Sequence, residues 1–192
     1  MAFSKVRGGA GTPVVLGLGS NQGDSRGILA DSLGALGEFL EDIRIASFFE
    51  TAPLHVTDQN RFLNTALGGC YRGEPRELLD LIHRIEAQFG RDREKERRWG
   101  ERPLDIDILL FGGFVLSDPP DLEIPHPRLT ERRFALTPLL ELFPEATDPR
   151  TGRPYRVFLE ELPPQGIYYA GPGEYTNGKW ASKTQVRSEV SE

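Results

Sequence analysis

The sequence predicts an α+β fold, a mainly antiparallel sheet with helices packed against it. Three observations lead there. Strand-like and helix-like segments alternate from residue 14 to residue 143. A glycine pair, Gly112-Gly113, separates the apolar runs 104–111 and 114–116 and reads as a two-residue hairpin turn. A hairpin requires antiparallel pairing, which argues against a doubly wound parallel sheet.

Each element has its own signal. VVLGLG (14–19) reads as a short buried strand ending in glycines. Asp24 or Ser25 can cap the next helix. Leu29, Leu33, Leu36 and Leu40 then recur at helical spacing on one face. IRIASFFE (43–50) is rich in β-formers and reads as one strand, and TAPLHVTDQN (51–60) as a loop. FLNTALGGCY (62–71) reads as another strand. Glu74-Pro75 opens a second helix, since Pro is tolerated in the first turn. Leu78, Ile82, Ile85 and Phe89 form its apolar face, and Gly90 stops it. LDIDILLF (104–111) is a strand, DLEIPHPRL (121–129) carries a short edge strand, and 132–143 is a helix interrupted near Pro138. The expected organisation is a loose extension over 1–12, one domain over 13–165, and a tail over 166–192 whose order the sequence leaves open.

The bulk values narrow the function classes. A chain of 192 residues, 38% hydrophobic and 27% charged, suits a single globular domain with a real core. A net charge of -6 argues against a general nucleic-acid binder, while leaving room for a local basic pocket. Cys70 is the only cysteine, so no intramolecular disulfide can form. The N-terminus lacks the apolar core of a signal peptide, and no stretch is long enough to span a membrane. The expectation is a cytoplasmic protein, monomeric for want of a long apolar surface.

The strand 104–111 carries two aspartates. Residues i and i+2 of a strand share a face, so Asp105 and Asp107 project together with Cα atoms roughly 7 Å apart. Leu104, Ile106, Ile108 and Leu110 take the other face. Two adjacent carboxylates raise each other's pKa unless a cation intervenes. Mg²⁺ favours one or two protein carboxylates, with waters and substrate phosphates completing its shell. Two readings stay open on the spacing alone: a metal site, or a solvated sheet face.

Upstream lies RDREKERRWGER (91–102), with Arg91, Arg93, Lys95, Arg97, Arg98 and Arg102. Such a run is usually a solvated, self-paired face. This one ends beside the aspartates and contains Trp99-Gly100, a costly residue to leave undocked. Arginine makes bidentate contacts to phosphate oxygens. Carboxylate pair, cation and arginines together describe a polyphosphate site. No G-x-x-x-x-G-K-[ST] is present, so a Walker-type loop is not expected.

R-W-G-x-R-x-L-D-I-D-I-L-x-F, followed by I-P-H-P-R-L-x-x-R-x-F-x-L-x-P-L, resembles the 6-hydroxymethyl-7,8-dihydropterin pyrophosphokinases of folate biosynthesis. Upstream, G-L-G-S-N (17–21), E-T-x-P-L (50–54) and F-L-N (62–64) extend the resemblance over about residues 14–163. It implies a ferredoxin-like α/β/α sandwich with a central, mainly antiparallel sheet. It also implies pyrophosphate transfer from ATP to the pterin hydroxymethyl group, releasing AMP, with two Mg²⁺ ions. Asp105 and Asp107 match the metal ligands, and Asp105 also borders the pterin. Arg91 and Arg102 match arginines that reach the phosphates from a mobile loop, with Arg93 in the same loop. His126 and Arg132 match phosphate and nucleotide contacts, and His83 and Glu86 lie near the nucleotide. Phe62 and Phe134 match the aromatic pair that sandwiches the pterin, and Asn64 a partner of its edge. Thr51, Leu54 and Trp99 match further pterin contacts. One departure is Glu101, which stands where the family usually has Pro.

Taken singly, most of these residues have plainer readings. Phe62 and Phe134 suit a core, His126 a surface turn, His83 and Glu86 a solvated helix face. Two other function classes fit part of the pattern. A nucleotide-sugar transferase also uses Asp-x-Asp, and an inactive pterin- or nucleotide-binding module would share the pocket. The pterin motifs argue against the first, and retention of Asp105, Asp107, Arg91 and Arg102 against the second.

Overall fold

A computed structural model describes residues 11–52, 59–93, 100–118 and 121–173, with short strand fragments beyond. The chain alternates as expected. β1 (Thr12–Ser20) leads into α1 (Ser25–Gly37), and Asp24 caps that helix by accepting the Gly27 N–H. β2 (Leu40–Ile45), β3 (Phe48–Thr51) and β4 (Phe62–Tyr71) come next, then α2 (Pro75–Gln88) and β5 (Asp105–Phe111). A capping box between Glu74 and Glu77 secures the start of α2, satisfying otherwise orphaned N–H groups.

Among the described residues the main sheet is antiparallel throughout, with β5 next to β1, then β4, then β3. β2 also pairs with β4. With β2 and β3, which both pair with β4, counted as one interrupted strand, this is the βαββαβ order of the ferredoxin-like arrangement the resemblance implies. Leu29, Leu33 and Leu36 of α1 and Leu78, Ile82 and Ile85 of α2 form one core with Leu104, Ile106 and Ile108. The opposite face carries α3 (Arg133–Leu142) and α4 (Tyr155–Glu161), which close a second core with Val15, Ala66 and Leu109. The result is a three-layer α/β/α sandwich.

Four expectations need correction. The run 43–50 is split between β2 and β3, because Ala46 and Ser47 leave the ladder between them. Gly112-Gly113 does turn the chain, with Gly112 at φ 52°, but β5 makes no hairpin with the next strand. That strand, β6 (Leu116–Asp118), pairs instead with β7 (Leu122–Ile124), forming a separate ribbon. Leu110 does not share a face with Leu104, Ile106 and Ile108. A bulge opposite Val15/Leu16 inserts one residue and turns Leu110 to the α3 side, where Leu109 already points. α3 runs through Pro138 without interruption, and α4 has no counterpart among the elements expected from sequence.

Part of the segment read as a tail is sheet. β8 (Ile167–Gly171) pairs with β3 and extends the sheet past its edge. β11 (Ser188–Glu189) pairs with β8 in turn, while β9 (Tyr175–Thr176) and β10 (Lys179–Trp180) pair with each other. No helix among the described residues is long and apolar enough to cross a membrane.

Candidate active site

The site lies on the α3 side of the sheet, at the end where β1 finishes and β5 begins. Cross-strand register builds it. Gly19 of β1 stands between Asp105 of β5 and Asn64 of β4, and Gly17 stands beside Asp107. Both glycines line the cavity that opens there. A side chain at Gly19 would meet the Asn64 Oδ1 at 3.1 Å. The glycines therefore keep the sheet floor low next to the aspartates.

Thr51, Phe62, Asn64, Arg102, Arg132 and Phe134 also line this cavity, together with both aspartates. Asn64 is buried, and its Nδ2 donates to the Thr51 Oγ1 at 3.0 Å. That contact fixes which way the amide faces. Phe134 enters from the first turn of α3, and the Arg132 guanidinium lies 5.5 Å from its ring centroid. Leu54 and Trp99 lie outside the described residues.

A second cavity adjoins α2 and the β7 region. His83, Arg93 and His126 line it. Among the described residues, Asp107 is the one that lines both cavities.

The two aspartates have different electrostatic surroundings. Asp105 meets Arg91 at 2.5 Å and Arg102 at 2.7 Å. Burial pushes its carboxyl up, but Arg102 and Arg91 together hold it below the ordinary aspartate range. Among the described residues, the ion-pair contacts of Asp107 are longer, to His126 Nε2 and Arg132 Nη1, both at 3.7 Å. Burial and then the Asp105 charge raise its pKa, with His126 and Arg132 opposing. His126 accepts the Arg128 N–H at Nδ1, which turns Nε2 toward Asp107. Burial lowers the His126 pKa against the pull of Asp107.

Glu86 and Arg91 line neither cavity. Glu86 is 1% exposed, so its side of α2 is not the solvated face that helical spacing alone suggests. Its carboxylate accepts the Ile106 N–H at 2.8 Å and pairs with Arg91 and Arg93 at 2.5 Å each. Arg91 thus bridges Glu86 to Asp105 from behind the sheet end. His83 is half-buried on α2, and burial, with Arg93 adding, lowers its pKa. Glu101 is exposed and lines neither cavity.

Two participants were not singled out from the sequence. Arg128 lines the first cavity. Asn21, buried at the end of the G-L-G-S-N motif, exchanges hydrogen bonds with the Arg102 backbone in both directions, at 2.7 and 3.1 Å. Its Nδ2 also reaches Gln59 and the Asn60 carbonyl. One buried amide therefore ties the Arg102 loop to the loop before Phe62. The motif itself was the available signal.

The residues suit a divalent cation. Two carboxylates share one strand face, and the charge of one opposes ionisation of the other, a conflict that a cation relieves. No cluster of three or more His, Cys, Asp or Glu ligands occurs among the described residues. A pair completed by phosphate oxygens and water is the habit of Mg²⁺.

Comparisons with known proteins bear on the family and the fold. Residues 15–144 match the model of the family described as 7,8-dihydro-6-hydroxymethylpterin-pyrophosphokinase (HPPK). The chain is 39% identical over 149 residues to the 2-amino-4-hydroxy-6-hydroxymethyldihydropteridine pyrophosphokinase of Aquifex aeolicus, covering 77% of this chain and 91% of that protein. It is 40% identical over 144 residues to a folate synthesis bifunctional protein of Arabidopsis thaliana, covering 74% of this chain but 29% of that relative's length. The fold also matches the crystal structure of wild-type Plasmodium falciparum HPPK-DHPS, with a TM-score of 0.63 at 15% identity, over 81% of this chain and 45% of that one.

Proposed function

Because the chain belongs to the 7,8-dihydro-6-hydroxymethylpterin-pyrophosphokinase family, we propose that it transfers pyrophosphate from ATP to the hydroxymethyl group of 6-hydroxymethyl-7,8-dihydropterin, releasing AMP, as a step of folate synthesis. The observation that carries this reading is that Asp107 lines both cavities. A transfer between two bound substrates needs two sites that meet where the reacting atoms meet.

In this reading the pterin occupies the first cavity. Phe62 and Phe134 stack on its ring and Asn64 recognises its edge, as an amide with both donors and an acceptor can. ATP occupies the second cavity, with His83 and Arg93 beside it and its phosphates reaching toward Asp107. Arg132 and His126 receive phosphate oxygens. The Arg132 Nε is buried without a hydrogen-bond partner among the described residues, which suits an incoming oxygen. The hydroxymethyl oxygen attacks the β-phosphorus, and its proton passes to the Asp107 carboxylate between the two cavities and from there to solvent. The bond from the β-phosphorus to the α–β bridging oxygen breaks, and AMP leaves with that oxygen.

Asp105 and Asp107 would hold Mg²⁺, two ions by family resemblance. When bound, Mg²⁺ supplies neutralisation of charge on the phosphate oxygens. Arg102 and Arg91 keep Asp105 ionised for that task. The test is a product assay with ATP, Mg²⁺ and the hydroxymethyl dihydropterin. AMP and the pyrophosphorylated pterin are expected in equal amounts. Formation of ADP, or no nucleotide turnover, would overturn the reading.

A further inference from the structure

The segment after α4 touches two walls of the first cavity. On the α3 side, the Gln165 side chain holds the backbone on both sides of Arg132. Its Oε1 accepts the Arg133 N–H at 2.8 Å, and its Nε2 donates to the Glu131 carbonyl at 2.8 Å. An amide offers donor and acceptor from one planar group, so both contacts come from one side chain. Arg133 returns the contact, donating from Nε to the Pro163 carbonyl at 2.9 Å and from Nη2 to the Leu162 carbonyl at 2.7 Å.

Two residues further on, the same segment joins the sheet. Ile167 pairs with Thr51, which lines the cavity, and the Tyr168 ring lies 5.2 Å from the Arg61 guanidinium, next to Phe62. Gly166 links the two attachments at φ 60°, a conformation that favours glycine. The α3 wall, with Arg132 and Phe134, is thereby tied to the β3–β4 wall, with Thr51 and Phe62, through three consecutive residues.

We infer that Gln165 is a positioning residue for Arg132 and Phe134, and that the strap Gln165–Ile167 sets the width of the slot that takes a flat heteroaromatic ring. Stacking on both faces of such a ring requires the two aromatic walls at a set separation. The Arg132 guanidinium has only long contacts to protein carboxylates and a buried Nε without a partner among the described residues. Its placement therefore depends on its backbone and on the Phe134 ring beside it, and Gln165 holds that backbone from both sides. The inference rests on the pterin reading of the cavity.

The experiment compares wild type, Gln165→Met and Gln165→Glu by calorimetric titration with 6-hydroxymethylpterin, alongside thermal unfolding. Wild type is measured first. If it does not bind the pterin, the functional reading itself fails. Given wild-type binding, Gln165→Met is expected to weaken it about tenfold, because the α3 wall is no longer held at a set separation from Phe62, and to lower Tm by about 2–6 °C for the lost hydrogen bonds. Gln165→Glu keeps the acceptor for the Arg133 N–H but loses the donor to Glu131, so it should fall between the two. Unchanged pterin affinity in both variants, with or without a fall in Tm, would overturn the positioning role while leaving the pterin site standing.

Discussion

Glu86 and Arg91 form an ion pair at 2.5 Å in which both side chains are almost fully buried. The same guanidinium reaches Asp105, so a carboxylate on α2 steadies an aspartate of β5 through one arginine. The linkage connects the interior of the fold to the chemistry of the site.

Glu86→Ala should therefore cost roughly 3 kcal/mol of stability, because Arg91 loses its more deeply buried carboxylate partner, keeping Asp105, and Ile106 loses its acceptor. Glu86→Gln should cost less, since an amide still accepts the Ile106 N–H. The two forms also differ with pH. Burial raises the Glu86 pKa, against Arg91 and Arg93, so its ionisation disfavours the folded state relative to the unfolded one. Its stabilising contribution is full below the unfolded value and is lost as pH rises through the folded value. Urea unfolding at pH 7 and pH 5 should show wild type gaining on the Glu86→Gln variant at the lower pH.

Asp107→Ala should abolish turnover and leave the fold intact. Asp107 has no contact shorter than 3.7 Å to His126 or Arg132, and it contributes nothing to either core. A loss of AMP formation of about a hundredfold or more is expected, the scale of removing a principal electrostatic group. Circular dichroism and Tm should match wild type. Full activity would remove the role proposed for Asp107. Asp105→Ala should behave differently, losing stability as well as activity, because it strips a carboxylate from Arg91 and Arg102.

Phe134→Ala should chiefly weaken pterin binding. Its ring lines the first cavity beside Arg132 and is only partly buried in the second core. Loss of one stacking face is worth about 1 kcal/mol, roughly fivefold in Kd. Calorimetry with the pterin reads the change, and affinity for an ATP analogue should move far less.

Tyr155→Phe should be neutral or stabilising by about 1 kcal/mol. The Tyr155 ring is fully buried, and its hydroxyl finds no hydrogen-bond partner among the described residues. Removing the hydroxyl removes an unsatisfied group while the ring keeps its packing. Chemical denaturation measures the difference, and a marked loss of stability would show that the hydroxyl has a partner in solution.

Much of the fold was legible from local patterns. The leucine spacing of α1, the capped and Pro-opened start of α2, and the alternation in β5 each arise from a few neighbouring residues. The failures occurred where local signals competed with distant ones. Gly112-Gly113 does turn the chain, but the strand that pairs with β6 is β7, chosen by packing and not by the turn. Pro138 sits inside α3 because burial against β4 and the rest of the second core keeps the helix intact around it.

The sequence by itself determined the element order, the shared face of Asp105 and Asp107, and the motifs that carry the family. These are short-range properties, set by periods of 2 and 3.6 residues and by residue chemistry. Only the tertiary structure decided that Glu86 lies buried under Arg91, that Asp107 stands between two cavities, and that residues 165–167 tie the cavity's walls together. Each joins residues far apart in the chain, and no local period encodes which distant groups will share a desolvated space. The charge-rich end of the strand at 104–111 is therefore divided by its surroundings: Asp105 is paired from behind, and Asp107 is left facing the site.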